Sequence, residues 1–154
     1  MRLNKFMYYS TAIAIAAGLA AAPATTFAAT KKKAPAVVKA AKQKVVIQVS
    51  DADPKKWALA LNNAANVQED LGKDNVDIEI VAYGPGLGML KLESEVGDRV
   101  KGALHEGVKV VACQNTMRKQ KITEADMLPD IGYAKAGVVE LMTKQSEGYS
   151  YIRP

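Results

Sequence analysis

The chain has one cysteine, Cys113, and it stands in the middle of the stretch Val108–Met117, VKVVACQNTM. Val108–Ala112 is apolar and rich in β-branched residues, as a buried strand is. Gln114, Asn115 and Thr116 follow, and a short helix is expected over Asn115–Gln120. A thiol between a strand end and a helix start is favoured as thiolate, because the first turn of a helix stabilises an anion. Arg118 and Lys119 lie within the following turn or two and add positive charge. Asn115 and Thr116 offer hydrogen bonds to a bound anion or to the sulfur itself. The chemistry that fits is nucleophilic thiol exchange at sulfur. Reversible oxidation to sulfenic acid fits less well, because no second cysteine is present to resolve it. The same residue also fits a buried, inert cysteine, since free cysteine is among the most buried residue types.

Other chemistry-bearing residues are few. Tyr83–Gly88, YGPGLG, is glycine-rich and follows an expected strand. The backbone amides of Gly84, Pro85 and Gly86 are therefore candidates to approach an anion closely, although Pro85 supplies no N–H. The segment matches neither the dinucleotide fingerprint nor the phosphate loop, and a simple turn explains it too. His105, the only histidine, falls near the end of an expected helix, where a cation is favourable. That helix would run antiparallel to the strands and leave His105 at the opposite end of the sheet from Cys113, which argues against a nucleophile–base pair. One histidine and one cysteine make no zinc set, and no metal or other cofactor is expected. Asp53 is explained as a helix cap, and Asp51 has no assigned role.

The elements that would position these residues alternate regularly. Lys44–Ser50 reads as a strand, and Asp53-Pro54 opens a helix that runs to Leu71 before Gly72. Trp57, Ala60, Leu61, Ala64, Val67 and Leu71 would form its inner face. Val76–Ala82 is a second strand. A helix is expected over Leu92–Glu106, with Leu92, Val96, Val100, Ala103 and Leu104 turned inward, although Gly97 and Gly102 weaken it. After Cys113, Thr123 caps a short helix that Pro129 stops, and Ile131–Ala134 is a fourth strand. Gly137–Glu147 is helical with Val138, Leu141, Met142 and Gln145 on one side, and Tyr149–Ile152 is a last strand. Strand–helix alternation predicts an α/β fold: a three-layer, open, mainly parallel sheet with helices on both faces. Ligands of such sheets bind beyond the carboxyl ends of the strands. The loops Ser50–Asp53, Tyr83–Gly88 and Cys113–Met117 are therefore expected to gather there.

Length and composition bound the rest. The chain has 154 residues, room for one domain. Residues 1–28 have the layout of a secretory signal peptide: Arg2 and Lys5, the apolar run Thr11–Ala22, then small residues up to Ala28. The run is short for a transmembrane helix, so no span is expected in the mature chain; an uncleaved anchor is the alternative. Residues 29–44 are rich in lysine and read as a flexible, solvated tether; residues 45–154 form the folded domain. All eight positive charges before Val45 are unopposed by acids, so the net +5 of the whole chain becomes −3 for Val45–Pro154. A nucleic-acid protein should carry basic charge on its folded surface, and none is expected as partner. Export implies a periplasmic location, an oxidising compartment, where a lone thiol forms no internal disulfide.

The segments VVACQNTM, TEADMLPDI and AGVVELMTKQSEGYSYIRP, with WALALNNAANVQEDLG and IEIVAYGPGLGML, resemble the DsrE/DsrF-like (YchN-like) family over Val45–Pro154. The resemblance implies a sheet of about five mainly parallel strands and assembly as homotrimers or hexamers. It implies that Cys113 matches the family's site, which in its sulfur-relay members carries sulfur as a persulfide. The function so implied is a sulfur carrier or sulfurtransferase-like protein, working with a sulfur-donor or acceptor protein. In it Cys113 would hold sulfane sulfur, while Asn115, Thr116 and the Gly84–Gly86 backbone hold the anion. The alternative is a non-enzymatic periplasmic binding or assembly module of the same fold, with Cys113 at a subunit interface.

Overall fold

The structure, a computed structural model, describes residues 42–154. The expected signal peptide and nearly all of the lysine-rich segment lie outside the described residues. Five strands form one sheet: β1 (Gln43–Val49), β2 (Val76–Ala82), β3 (Lys109–Cys113), β4 (Gly132–Ala134) and β5 (Ser150–Ile152). The spatial order is β4-β3-β2-β1-β5, and every pairing is parallel. Parallel sheets are covered on both faces, and this one has β-branched strands buried on both sides. In β1 the residues Val45, Ile47 and Val49 face the larger core while Val46 faces the smaller.

The larger core is closed by α1 (Pro54–Leu71) and α2 (Gly97–His105). Asp53 caps α1 as expected: its Oδ1 accepts the Lys55 amide at 2.9 Å, and Pro54 takes the first turn. Trp57, Ala60, Leu61 and Ala64 are buried against the sheet. Leu71, expected on the same face, is exposed because it is the last helical residue. The other face carries α4 (Gly137–Ser146), which buries Leu141 against Val46 and Val81 with Tyr149. Among the described residues α4 packs on the strands of the sheet and on no other helix of that face. Val138 and Met142, expected on the same side as the buried Leu141, are exposed together with Val139.

One element departs from expectation for a clear reason. The helix predicted from Leu92 begins at Gly97. Gly84–Leu90 instead winds as a 3-10 turn, and the chain after it is held by the segment Asp126–Leu128. The Leu92 amide donates to the Asp126 carbonyl at 3.0 Å, and Leu128 donates to Leu90 at 2.8 Å. Leu92 thus lies exposed beside a bridge between Lys91 and Met127, outside any helix. The Thr123 cap is present: the Asp126 carboxylate accepts the Thr123 amide at 2.8 Å and its hydroxyl at 2.7 Å. Lys44 belongs to β1, where its ammonium donates to the Glu147 carbonyl at 3.0 Å, so the lysine-rich segment ends before Gln43. No helix among the described residues is long and apolar enough to cross a membrane.

Candidate functional site

Cys113 is the last residue of β3 and immediately precedes α3 (Gln114–Gln120). Its register partner on the neighbouring strand is Ala134, the last residue of β4. The helices that follow these two strands part company. α3 sends Met117 into the larger core, whereas α4 packs Leu141 into the smaller one. Adjacent strands whose outgoing helices leave to opposite faces open a crevice at their carboxyl ends, and that is where α/β sheets bind ligands. Cys113 ends β3 at this position.

Its side chain turns toward α4. The Gly137 amide, at the start of that ten-residue helix, donates to Cys113 Sγ at 3.2 Å. The approach is possible because residue 137 has no side chain. A Cβ there would lie 3.0 Å from Tyr83 Cβ and 3.2 Å from Cys113 Cβ. On the other side stands Thr116. Its Oγ1 accepts the Gly84 amide at 2.9 Å, which leaves the hydroxyl hydrogen for the sulfur. Burial pushes the thiol up. The Thr116 hydroxyl and the amides of Gly137, Thr116 and Asn115 outweigh it and hold Cys113 below a free thiol's range. The residue is only 4% exposed, so the sulfur is activated yet nearly covered, and the cover is its own chain.

The other residues singled out by sequence take different parts. Asn115 uses its side-chain oxygen on Arg118 and shares its amide with the Lys135 carbonyl at 3.1 Å. Its side chain is therefore a brace for the first turn of α3, holding Arg118. The glycine-rich loop is not an open anion cradle. Gly84 gives its amide to Thr116 and its carbonyl to Gln120 Nε2 at 3.3 Å. The Gly86 amide goes to the Tyr83 carbonyl at 3.1 Å. Pro85 has no amide hydrogen and is exposed. A Cβ on Gly86 would lie 2.4 Å from the Val49 carbonyl oxygen, so this glycine exists to let the turn rest on the end of β1. The loop buttresses Thr116, and through Thr116 it acts on the thiol.

The Ser50–Asp53 loop is engaged elsewhere: the Asp51 carbonyl accepts Trp57 Nε1 at 2.7 Å, and its carboxylate faces Arg153 at 3.9 Å. His105 is a surface residue at the end of α2, 3.6 Å from Glu106. Among the described residues no group of three or more His, Cys, Asp or Glu could hold a metal ion. Sequence reasoning missed Gly137 and Tyr83 as neighbours of the thiol. The available signal was a glycine opening a helix directly after a strand; its meaning depends on β4 lying beside β3, which no local pattern states.

The family model described as DsrE/DsrF-like matches residues 43–154, the whole of the described domain but its first residue. The chain belongs to the DsrE/DsrF-like family. This family is associated with sulfur relay in general. Among solved structures, the protein of unknown function MTH1491 from Methanobacterium thermoautotrophicum is 33% identical, with TM-score 0.70, over 73% of this chain and 100% of that one. The ychN protein from E. coli is 12% identical with TM-score 0.60, over 73% of this chain and 99% of its own. A conserved protein of unknown function from Bacteroides thetaiotaomicron, BT1422, is 13% identical with TM-score 0.58, over 73% and 95%. The last two likenesses concern the DsrE-like fold alone. No curated protein matches.

Proposed function

We propose that this DsrE/DsrF-like protein is an exported, periplasmic sulfur carrier that holds sulfane sulfur as a persulfide on Cys113. The observation that carries the reading is the Gly137 amide on Cys113 Sγ, with the Thr116 hydroxyl opposite. Both favour a thiolate, the form that attacks sulfur. The thiolate attacks a sulfur atom of a polysulfide; an Sγ–S bond forms, the adjacent S–S bond breaks, and the polysulfide leaves one sulfur shorter with its two negative charges. The negative charge of Cys113 then rests on the outer sulfur. An acceptor thiolate attacks that sulfur and regenerates Cys113, so no external oxidant or reductant is needed.

A second feature supports self-association. Val138, Val139 and Met142 form an exposed apolar strip on α4, the helix that covers the thiol. The strip suits a second copy of this chain, consistent with a homo-oligomer of the trimer or hexamer kind. The module reading, with Cys113 buried by a neighbouring subunit, is less well supported, because α4 of the same chain already covers the sulfur. One experiment addresses both. Native and intact mass are measured after incubation with polysulfide, for wild type and Cys113→Ser. The expected result is a gain of one sulfur atom on wild type alone, within an oligomer. An unreacted wild-type thiol in the folded oligomer would leave the module reading in its place.

A further inference from the structure

α4 touches a second chemically unusual site, at its other end. Glu79 on β2 is buried beneath this helix, with its side chain 4% exposed. Its Oε2 lies 3.3 Å from Lys144 Nζ. Its Oε1 is the one buried side-chain oxygen or nitrogen without a hydrogen-bond partner among the described residues. Lys144 is shared: Glu140 Oε1 stands at 3.6 Å and Glu147 Oε2 at 3.4 Å from the same ammonium. Three carboxylates thus compete for one cation, and the most deeply buried has an oxygen without a hydrogen-bond partner among the described residues. Such an oxygen is a place for a proton.

The groups facing Glu79 from each side are few. β1 brings Lys44, but its ammonium is bound to the Glu147 carbonyl and lies 5.5 Å from the Tyr149 ring. β2 itself brings Asp77, which pairs with Lys42 at 3.3 Å. β3 brings the exposed Lys109, the register partner of Glu79. The chain before β5 brings Tyr149, whose ring also lies 5.3 Å from Lys144. α4 brings Glu140, Lys144 and Glu147. Burial, with Glu140 adding to it, raises the Glu79 carboxyl above the usual range even against Lys144.

The helix therefore has two polar fastenings on the sheet. Gly137 fastens its first turn to Cys113, and Lys144 fastens its last turn to Glu79, seven residues or about 10 Å further along the axis. Between them Leu141 supplies the apolar contact. Gly137 and Lys144 belong to one ten-residue helix, so one fastening bears on the other. We propose that Glu79 and Lys144 are positioning residues for Cys113: their ion pair sets how closely the start of α4 approaches the sulfur, and protonation of Glu79 lets the helix back away. Acidification then lowers the reactive thiolate twice, once by protonating Cys113 directly and once by withdrawing the Gly137 amide. This inference rests on Cys113 being the reactive group of the proposed function, and it adds a proton-linked control of that group.

The test is the rate of alkylation of the single cysteine by iodoacetamide in the full chain, followed as a function of pH. In wild type, the logarithm of the rate should rise with a slope above one across the range where Glu79 titrates. Glu79→Gln carries the neutral form permanently. It should show a slope of one and a rate at least threefold lower at neutral pH. Glu140→Gln removes a competitor for Lys144 and the like charge that helps raise the Glu79 carboxyl, and should move the steep region to lower pH. A folded Glu79→Gln with the wild-type profile overturns the inference, and so does Glu140→Gln with the steep region unmoved. If Glu79→Gln does not fold, the Glu140→Gln arm decides. No sulfur donor enters this assay. A polysulfide adduct with uncoupled alkylation overturns this inference alone; coupled alkylation with no adduct overturns the persulfide reading alone.

Discussion

Gly137→Ala tests the geometry of the site most directly. The new methyl group would meet Tyr83 Cβ at 3.0 Å, Cys113 Cβ at 3.2 Å and Tyr83 Cδ1 at 3.3 Å. Ordinary contact begins near 3.4 Å, so the first turn of α4 must retreat by about 0.4–1 Å to make room. The Gly137 amide, now 3.2 Å from Sγ, would then be drawn back toward the outer limit of a hydrogen bond to sulfur and its bond weakened. A hydrogen bond to a charged group is worth about 1.5–3 kcal/mol; as one of four donors, this one is taken at the low end. That corresponds to roughly a tenfold loss of thiolate at any pH below the thiol's own titration. Overpacking adds a steric destabilisation of about 1–3 kcal/mol, of which up to about 1 is returned by the better helix propensity of Ala. The two effects separate by pH. A thiol held low in the folded protein stabilises folding above the unfolded thiol's value, and that contribution fades as pH falls through the folded value. The destabilisation by Gly137→Ala should therefore be smallest in acid, where only the steric part remains, and should grow as pH rises toward the free thiol's range. Denaturant melts across pH measure it, with thiolate absorbance in parallel. The increment at high pH should vanish in a Cys113→Ser background. A folded Gly137→Ala protein with wild-type thiolate titration would refute the placement of this amide on the sulfur.

Two further predictions follow from the same contacts. Thr116→Val removes the hydroxyl that accepts the Gly84 amide and faces the thiol; it should cost about 1–3 kcal/mol for the orphaned donor and slow alkylation of Cys113, read by melting and by iodoacetamide kinetics. Gly86→Ala and Gly102→Ala should move stability in opposite directions in the same denaturant assay. The first forces a methyl to 2.4 Å from the Val49 oxygen and should destabilise by about 3 kcal/mol or more, whereas the second adds a methyl to open space inside α2 and should stabilise by about 0.5–1 kcal/mol.

The fold was legible where one residue pattern dominated. β2 spans Val76–Ala82 as its apolar run indicates, and α1 opens at Pro54 behind the Asp53 cap. In both, the local signal and the tertiary environment agree. The errors lie where a distant segment intervenes. Leu92–Val96 has helical spacing of apolar residues, yet the Asp126–Leu128 backbone captures it first, a contact with no local signature. The exposed side of α4 was misread for a related reason. Helical spacing tells which residues share a face, but whether that face meets a sheet depends on how many helices the sheet can hold. Here Leu141 and Gly137 suffice, and Val138 and Met142 are left outside.

The site shows the same division more sharply. That Cys113 ends a strand and precedes a helix is local, and it was visible. What activates the thiol is only partly local: the Thr116 hydroxyl and the amides of Thr116 and Asn115 are its sequence neighbours, whereas the Gly137 amide comes from 24 residues away and arrives only because β4 pairs with β3 and the chain then crosses to the opposite face. The glycine-rich loop illustrates the converse. Its glycines suggested a ligand cradle, but their amides already serve Thr116 and Tyr83, and a missing Cβ at Gly86 serves backbone packing. A glycine marks a close approach without saying what approaches. At Gly86 it is the end of a strand, and at Gly137 it is the sulfur. Only the second bears on chemistry, and it does so by letting a helix start where a side chain would have stood.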